Sequence, residues 1–324
     1  MAGRTDSTPE TQLEVSASLA PSPASRASIC RGDCKVFSWV WERRSVAIAY
    51  ETFGTGPPCL LLPAFSTVCT REEMRALAAR LADRLTVTLV DWPGFGESSR
   101  QPFAYGPLLM QSFLGDFVAR VFHALPAVVA AGHAAGYALA LARTRAPCWS
   151  RIVLLAPTWR GPLPTAMGRS SEHWGWLRRL VRAPFVGEGL YRLNTAAPVI
   201  ALMYRRHVYA NRVRVTGELV RTKQATARRP RGRHASVAFV TGALDLVPDR
   251  DSFHRLVRRP PAPTLIVYGA DTPPRSRAEM ESLAGLEGII VRVVPGSLAV
   301  HEEHPEVVFQ ALGGFLSQNV GGGT

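Results

Sequence analysis

Residues Gly132-His133-Ala134-Ala135-Gly136 have the spacing of the Gly-x-Ser-x-Gly turn that displays a nucleophilic hydroxyl between a strand and a helix, with alanine in the serine slot. The two glycines let the chain bend sharply, but the methyl group of Ala134 cannot attack a carbonyl. A nucleophile also needs a base within hydrogen-bond reach and a third group to orient that base. The nearest hydroxyl, that of Tyr137, falls on the following helix. The acids and bases open to other chemistry are His133 in the turn, Asp245 in Gly242-Ala243-Leu244-Asp245-Leu246-Val247-Pro248, Asp271 in Gly269-Ala270-Asp271-Thr272-Pro273, and His301 ahead of Glu302-Glu303-His304-Pro305. Some have plainer roles open to them. His133 can pack beside the turn, and Asp245 can cap the helix expected from Arg250 to Leu256. Asp91 is expected to brace the glycine turn after it.

Around these residues strand and helix alternate. Residues 46–50 and 59–62 are apolar runs of strand length, and Thr86-Val87-Thr88-Leu89-Val90 alternates into Asp91-Trp92-Pro93-Gly94-Phe95-Gly96-Glu97-Ser98. Met74, Leu77, Ala78 and Leu81 recur at helical spacing and put one apolar stripe on a helix. This alternation specifies an α/β fold with a parallel sheet. The first 35 residues are rich in Ser, Ala and Pro and lack periodicity. They read as a disordered segment and a candidate transit peptide, although Asp6, Glu10 and Glu14 are unusual in one. Residues 319–324 read as a loose tail. No run of 18 apolar residues occurs, and no apolar secretory core is present. Cys30, Cys34, Cys59, Cys69 and Cys148 are sparse and odd in number, which points to a reducing compartment, cytoplasm or plastid stroma, and away from secretion. Cys30 and Cys34 are too isolated from other ligands for a zinc site, so neither metal nor cofactor is expected.

From Ser45 to Leu316 the order of pieces, with the turns at Asp91 and Gly132 in succession, resembles the α/β-hydrolase superfamily. Ala131-Gly132-His133-Ala134-Ala135-Gly136-Tyr137 and Ala156-Pro157-Thr158-Trp159-Arg160-Gly161-Pro162-Leu163-Pro164 are similar to a branch found in cyanobacteria and plastid-bearing organisms. The resemblance implies an α/β-hydrolase fold: a mostly parallel central sheet flanked by helices, a core over residues 36–159 and 235–318, and a helical cap at 160–234. It also implies catalytic places that this chain fills otherwise. Pro63-Ala64 replaces the usual His-Gly after Leu62, leaving Ala64 or Phe65 to supply an oxyanion-hole N–H. The acid place falls on Thr272, one residue after Asp271, and the histidine place on Leu298, three residues before His301. The expectation is a non-hydrolytic protein holding a small, mostly apolar molecule under the cap, against Pro63, Ala64, Phe65, Ala134, Ala135, Thr158, Trp159, Arg160 and Leu298. The alternatives are a lyase, isomerase or cofactor-free oxygenase using His301, Asp271 or Asp245, and a hydrolase with relocated residues.

Charge marks the cap. The chain carries a net +13, and between Arg160 and Arg233 sixteen Lys and Arg face only Glu172, Glu188 and Glu218, which accounts for the whole excess. Trp174, Trp176, Leu177, Leu180 and Val181 have helical spacing beside Arg178, Arg179 and Arg182. Three readings are open: a solvated lid; a surface resting on anionic lipid through those arginines, each contributing about 1 kcal/mol; and nucleic acid, the least favoured because no recognised module is present.

Overall fold

The computed structural model describes residues 33–317. Eight strands, β1 (Asp33–Trp41), β2 (Arg44–Phe53), β3 (Pro58–Leu62), β4 (Thr86–Val90), β5 (Ala127–Ala131), β6 (Ile152–Leu155), β7 (Thr264–Gly269) and β8 (Ile289–Val294), form one sheet in the order β1-β2-β4-β3-β5-β6-β7-β8. β2 pairs antiparallel with β1 and β4, and every later pairing is parallel. Residues 33–35 therefore belong to a strand and not to the leader. Asp6, Glu10, Glu14 and Cys30, with residues 319–324, lie outside the described residues.

The central strands are short apolar runs because both faces are covered. Leu60, Leu62, Val128, Ala130, Ile152, Leu154 and Ile266 point to one core. Their neighbours Leu61, Val129, Ala131, Val153, Leu155, Leu265 and Val267 point to the other, as the two-residue period of a strand requires. α1 (Arg75–Leu81), α2 (Pro107–Val121) and α3 (Ala134–Thr144) connect the first strands. The apolar stripe read at Met74, Leu77, Ala78 and Leu81 is buried, with Met74 closing a 3₁₀ turn, Arg71–Met74, ahead of α1.

Between β6 and β7 the chain leaves the sheet for α4 (Pro162–Met167), α5 (Gly175–Arg182), α6 (Val186–Asn194), α7 (Ala197–Met203), α8 (Gly217–Ala227), α9 (Arg233–Val240) and α10 (Arg250–Val257). The expected cap boundary at 234 falls at the second residue of α9, so the apolar run Ser236–Val240 is helical. α11 (Pro274–Glu281), α12 (Val300–Glu303) and α13 (Pro305–Ser317) complete the described residues. The insertion is fastened by a small core of its own around Ile200, Tyr204, Val215 and Val220. A buried ion cluster adds to it: Lys223 of α8 meets Glu73 at 3.2 Å and Glu302 at 2.6 Å.

Candidate functional site

The strand order changes direction between β3 and β5, and ligands of open α/β sheets bind at the carboxyl edge where this happens. The segments leaving those two strands meet there. β5 ends at Ala131, and Gly132 takes φ +53°, the left-handed conformation of the turn. α3 then begins at Ala134, which is fully buried. The sharp residue is thus Gly132, two positions before the alanine that the motif spacing puts in the nucleophile slot. Ala134 and Ala135 belong to the packed interior of α3 and do not line a cleft. A side chain at Gly132 would start 3.0 Å from the Ala64 methyl and 3.6 Å from Thr158 Oγ1.

Thr158 follows β6 and faces the turn. Its hydroxyl lies 2.8 Å from His133 Nδ1, and His133 Nε2 lies 3.2 Å from Asp245 Oδ1. With the proton on Nε2 the chain runs in one sense: the hydroxyl donates to Nδ1 and Nε2–H donates to the carboxylate. This is the hydroxyl–imidazole–carboxylate order of an acyl-transfer triad, with the two ring nitrogens exchanged. Asp245 also accepts the Gly161 N–H at 2.9 Å, and Phe239 packs edge-on against the imidazole at 5.2 Å. Asp245 caps no helix; Asp249 does so for α10, accepting the Ser252 N–H. His133 is therefore neither an idle packing residue nor a free base, since both ring nitrogens are engaged.

Little space adjoins this trio. The cavity bounded by His133, Tyr137, Thr158, Trp159, Leu246 and Val247 measures about 10 Å³, room for one water at most. Phe65 is buried, its ring tilted against Trp92 at 4.7 Å and edge-on to Tyr137 at 5.5 Å. The Tyr137 hydroxyl is spent on the Leu244 carbonyl at 2.8 Å, and Pro63 turns its carbonyl to Trp92 Nε1 at 3.0 Å. Trp159 donates to Glu279 at 3.2 Å, Arg160 donates to the Arg169 carbonyl at 3.0 Å, and Leu298 packs on the core, half-buried. The expected ligand-lining set converges only in part, on Ala64, Thr158 and Trp159. An apolar guest there must displace Leu246 and Val247.

The residues after β7 and β8 do not join the trio. His301, on α12, is 2% exposed and neither ring nitrogen has a hydrogen-bond partner. Burial pushes its imidazole down to about 4, so it is neutral at pH 7. Thr272, in the acid place, is buried with its hydroxyl also unpartnered. Asp271 accepts the Gly296 N–H at 3.3 Å and faces solvent.

Asp91 braces its glycine turn as expected, accepting the Glu97 N–H at 2.8 Å. A side chain on Gly96 would begin 2.1 Å from the Asp91 carboxyl carbon. Arg71, which sequence reasoning passed over, donates to the same carboxylate and to Glu51 and Glu97. Burial opposes the charge on its guanidinium, but these carboxylates outweigh the penalty and hold it charged. The polar network continues through Glu51 to Arg75 at 2.8 Å and through Glu97 to Arg229 of the cap at 2.9 Å.

A sheet of this order, with a glycine-rich strand-to-helix turn at its switch point and a helical insertion after β6, defines an α/β-hydrolase-type protein. The model of the alpha/beta hydrolase family matches residues 59–311, and the chain belongs to that family. Among solved structures it is similar to a thermophilic esterase from Thermogutta terrifontis, at 22% identity over 88% of this chain and 98% of that one, with a TM-score of 0.67. It is also similar to a hydrolase from Pseudomonas aeruginosa (20% identity, 89% and 99% covered, TM-score 0.63) and to an α/β-hydrolase-fold protein from Burkholderia ambifaria (19%, 86% and 96%, 0.64). At such identities these likenesses establish the fold. No curated protein matches the sequence.

Proposed function

We propose that this chain is a non-hydrolytic α/β-hydrolase-fold protein that works at an anionic membrane surface and holds a small apolar molecule near the turn when the Leu246 and Val247 side chains move aside. The observation that carries the non-hydrolytic reading is Gly132: the residue at the bend has no side chain, and one placed there would sit at positive φ and press on the Ala64 methyl at 3.0 Å. Ala134→Ser should give no esterase activity, because its hydroxyl would lie inside α3. Hydrolysis of a nitrophenyl ester by that variant at the rate of an ordinary esterase overturns the reading.

The membrane reading rests on the hairpin of α5 and α6. Of the three arginines expected to face lipid, Arg178 donates instead to the Ser171 carbonyl at 2.8 Å and Arg182 to the Phe103 carbonyl, so both turn inward. Arg179 remains exposed. What the hairpin presents is apolar: Trp176 (60% exposed), Phe185 (91%), Val186, Leu190 and Leu193. Phe185 sits at the tip with φ +59°, a strained conformation for a bulky residue and one found preferentially at functional sites. Aromatic residues beside arginines, on an insertion that carries the whole net charge, suit an anionic lipid interface. The protein should sediment with phosphatidylglycerol vesicles and much less with phosphatidylcholine ones. Phe185→Asp should abolish sedimentation without lowering the melting temperature. A wild type that ignores anionic vesicles at low salt, or prefers RNA, removes this reading.

A second reading is favoured by the trio itself: Thr158, with His133 as base and Asp245 behind it, as a relocated nucleophile. It requires covalent modification of Thr158, which labelling by a fluorophosphonate tests.

A further inference from the structure

A ligand-sized space lies away from the turn, where the cap meets the ends of β7 and β8. There a cleft of about 460 Å³, within the range of small-molecule sites, separates the cap segment 204–212 from the loops at Asp271 and at Pro295–Ser297. Its walls are held together from inside. The fully buried Glu303 carboxylate accepts N–H groups from Ala210 at 3.0 Å and Asn211 at 2.6 Å on the cap side and from Ser297 at 3.3 Å on the core side. Gly296, at φ +113°, lets His304 approach to a distance that a side chain would block. The cap wall is a π turn, Tyr204–Val208, closed by Tyr209 N–H on the Tyr204 carbonyl at 2.9 Å. Such turns recur at functional sites.

Into this cleft come Arg205, Arg206 and Arg212. All three are exposed, and among the described residues no hydrogen bond or ion pair engages their guanidiniums. Most other cap cations facing the core have partners: Arg178, Arg182, Lys223, Arg229 and Arg233 do. Of the two carboxylates that line the cleft, Glu303 is turned to its wall on three backbone N–H groups, and Asp271 accepts the Gly296 N–H and is exposed, so three guanidiniums face one exposed carboxylate. Three guanidinium forks without a protein partner match phosphoryl oxygens, which accept two parallel N–H bonds from each fork. The volume exceeds that of a lone phosphate and leaves room for an organic remainder.

We propose that this cleft binds a small phosphorylated anion, its phosphoryl oxygens held by Arg205, Arg206 and Arg212. The test is calorimetric titration of the full chain with inorganic tripolyphosphate at low salt. Saturable one-to-one binding is expected. Joint replacement of Arg205, Arg206 and Arg212 by Gln should weaken it about 30-fold or more, a loss of about 2 kcal/mol or more, since each change removes a charge-assisted pair at a water-exposed site. A control variant, Arg169→Gln/Arg221→Gln/Arg228→Gln, removes the same charge from exposed cap positions outside the cleft and should bind within about twofold of wild type. Equal melting temperatures of the three proteins exclude misfolding as the cause. Adding vesicles that contain phosphatidic acid separates the sources of the phosphate. Unchanged tripolyphosphate affinity assigns the cleft to a soluble ester, and competition that survives Phe185→Asp assigns it to a lipid headgroup. Absence of saturable binding, or equal loss in the control variant, overturns the proposal.

Discussion

Two polar groups of residues stand at the carboxyl edge of one sheet and have opposite fates. At the end of β5 and β6, Thr158, His133 and Asp245 satisfy one another at 2.8 and 3.2 Å. At the end of β7 and β8, in and near the places where the family keeps its acid and its histidine, Thr272 and His301 are buried with no partner for any side-chain polar atom. A buried polar atom without a partner costs about 1 to 3 kcal/mol. The second group is thus a cost to the fold, and the first is a latch. It joins the turn after β5 to the segment after β6 and to the loop ahead of α10, through three residues whose bonds span 25 and 112 positions of sequence.

Breaking the latch should have the largest effect. His133→Ala leaves Thr158 without its acceptor and Asp245 with only the Gly161 N–H, and should lower unfolding free energy by about 3 kcal/mol in denaturant titration. A change below about 0.5 kcal/mol, the scale of neutral surface substitutions, would show that the trio holds nothing together.

The orphaned side should respond to pH. The folded-state value of His301 lies below its unfolded value, about 4 against 6.5, so the folded protein binds fewer protons between those limits. Stability from this group is complete above pH 6.5 and is lost as pH falls toward 4. Glu73 opposes it, because burial pushes that carboxyl up to about 7 and its protonation relieves the fold over the same range. The clean observable is therefore the difference between wild type and His301→Leu. The variant should gain about 2 kcal/mol relative to wild type on going from pH 7 to pH 5. A constant difference would mean that His301 reaches a partner or solvent.

Smaller again is the effect at the bend. Gly132→Ala places a methyl at positive φ, 3.0 Å from Ala64, and should cost about 1 to 2 kcal/mol. No loss on chemical denaturation would mean that the bend has another apex.

Much of the architecture was legible because it is written locally. Apolar runs of strand length, the stripe from Met74 to Leu81 and the brace at Asp91 depend on neighbours a few residues away. The apex of the bend was left open between the two glycines, because either one of Gly-x-Ala-x-Gly tolerates a left-handed φ and spacing does not say which adopts it. Arg178 and Arg182 were misassigned to the outer face because adjacency in sequence does not fix the side of a helix that meets Ser171 or Phe103. Thr158, His133 and Asp245 were each candidates separately. Their meeting is a long-range contact, and nothing in the sequence joins Thr158 to a histidine in the turn. Arg71 escaped notice because its partners lie on two other segments, Glu51 on β2 and Asp91 and Glu97 in the turn after β4.

The measurement closest to the central claim is intact-mass spectrometry after exposure of the full chain to a fluorophosphonate. An unmodified mass is predicted, since Gly132 has no side chain and the space beside Thr158 admits one water at most. Stoichiometric addition that maps to Thr158 and disappears in His133→Ala would contradict it and establish the trio as a working nucleophile, base and acid.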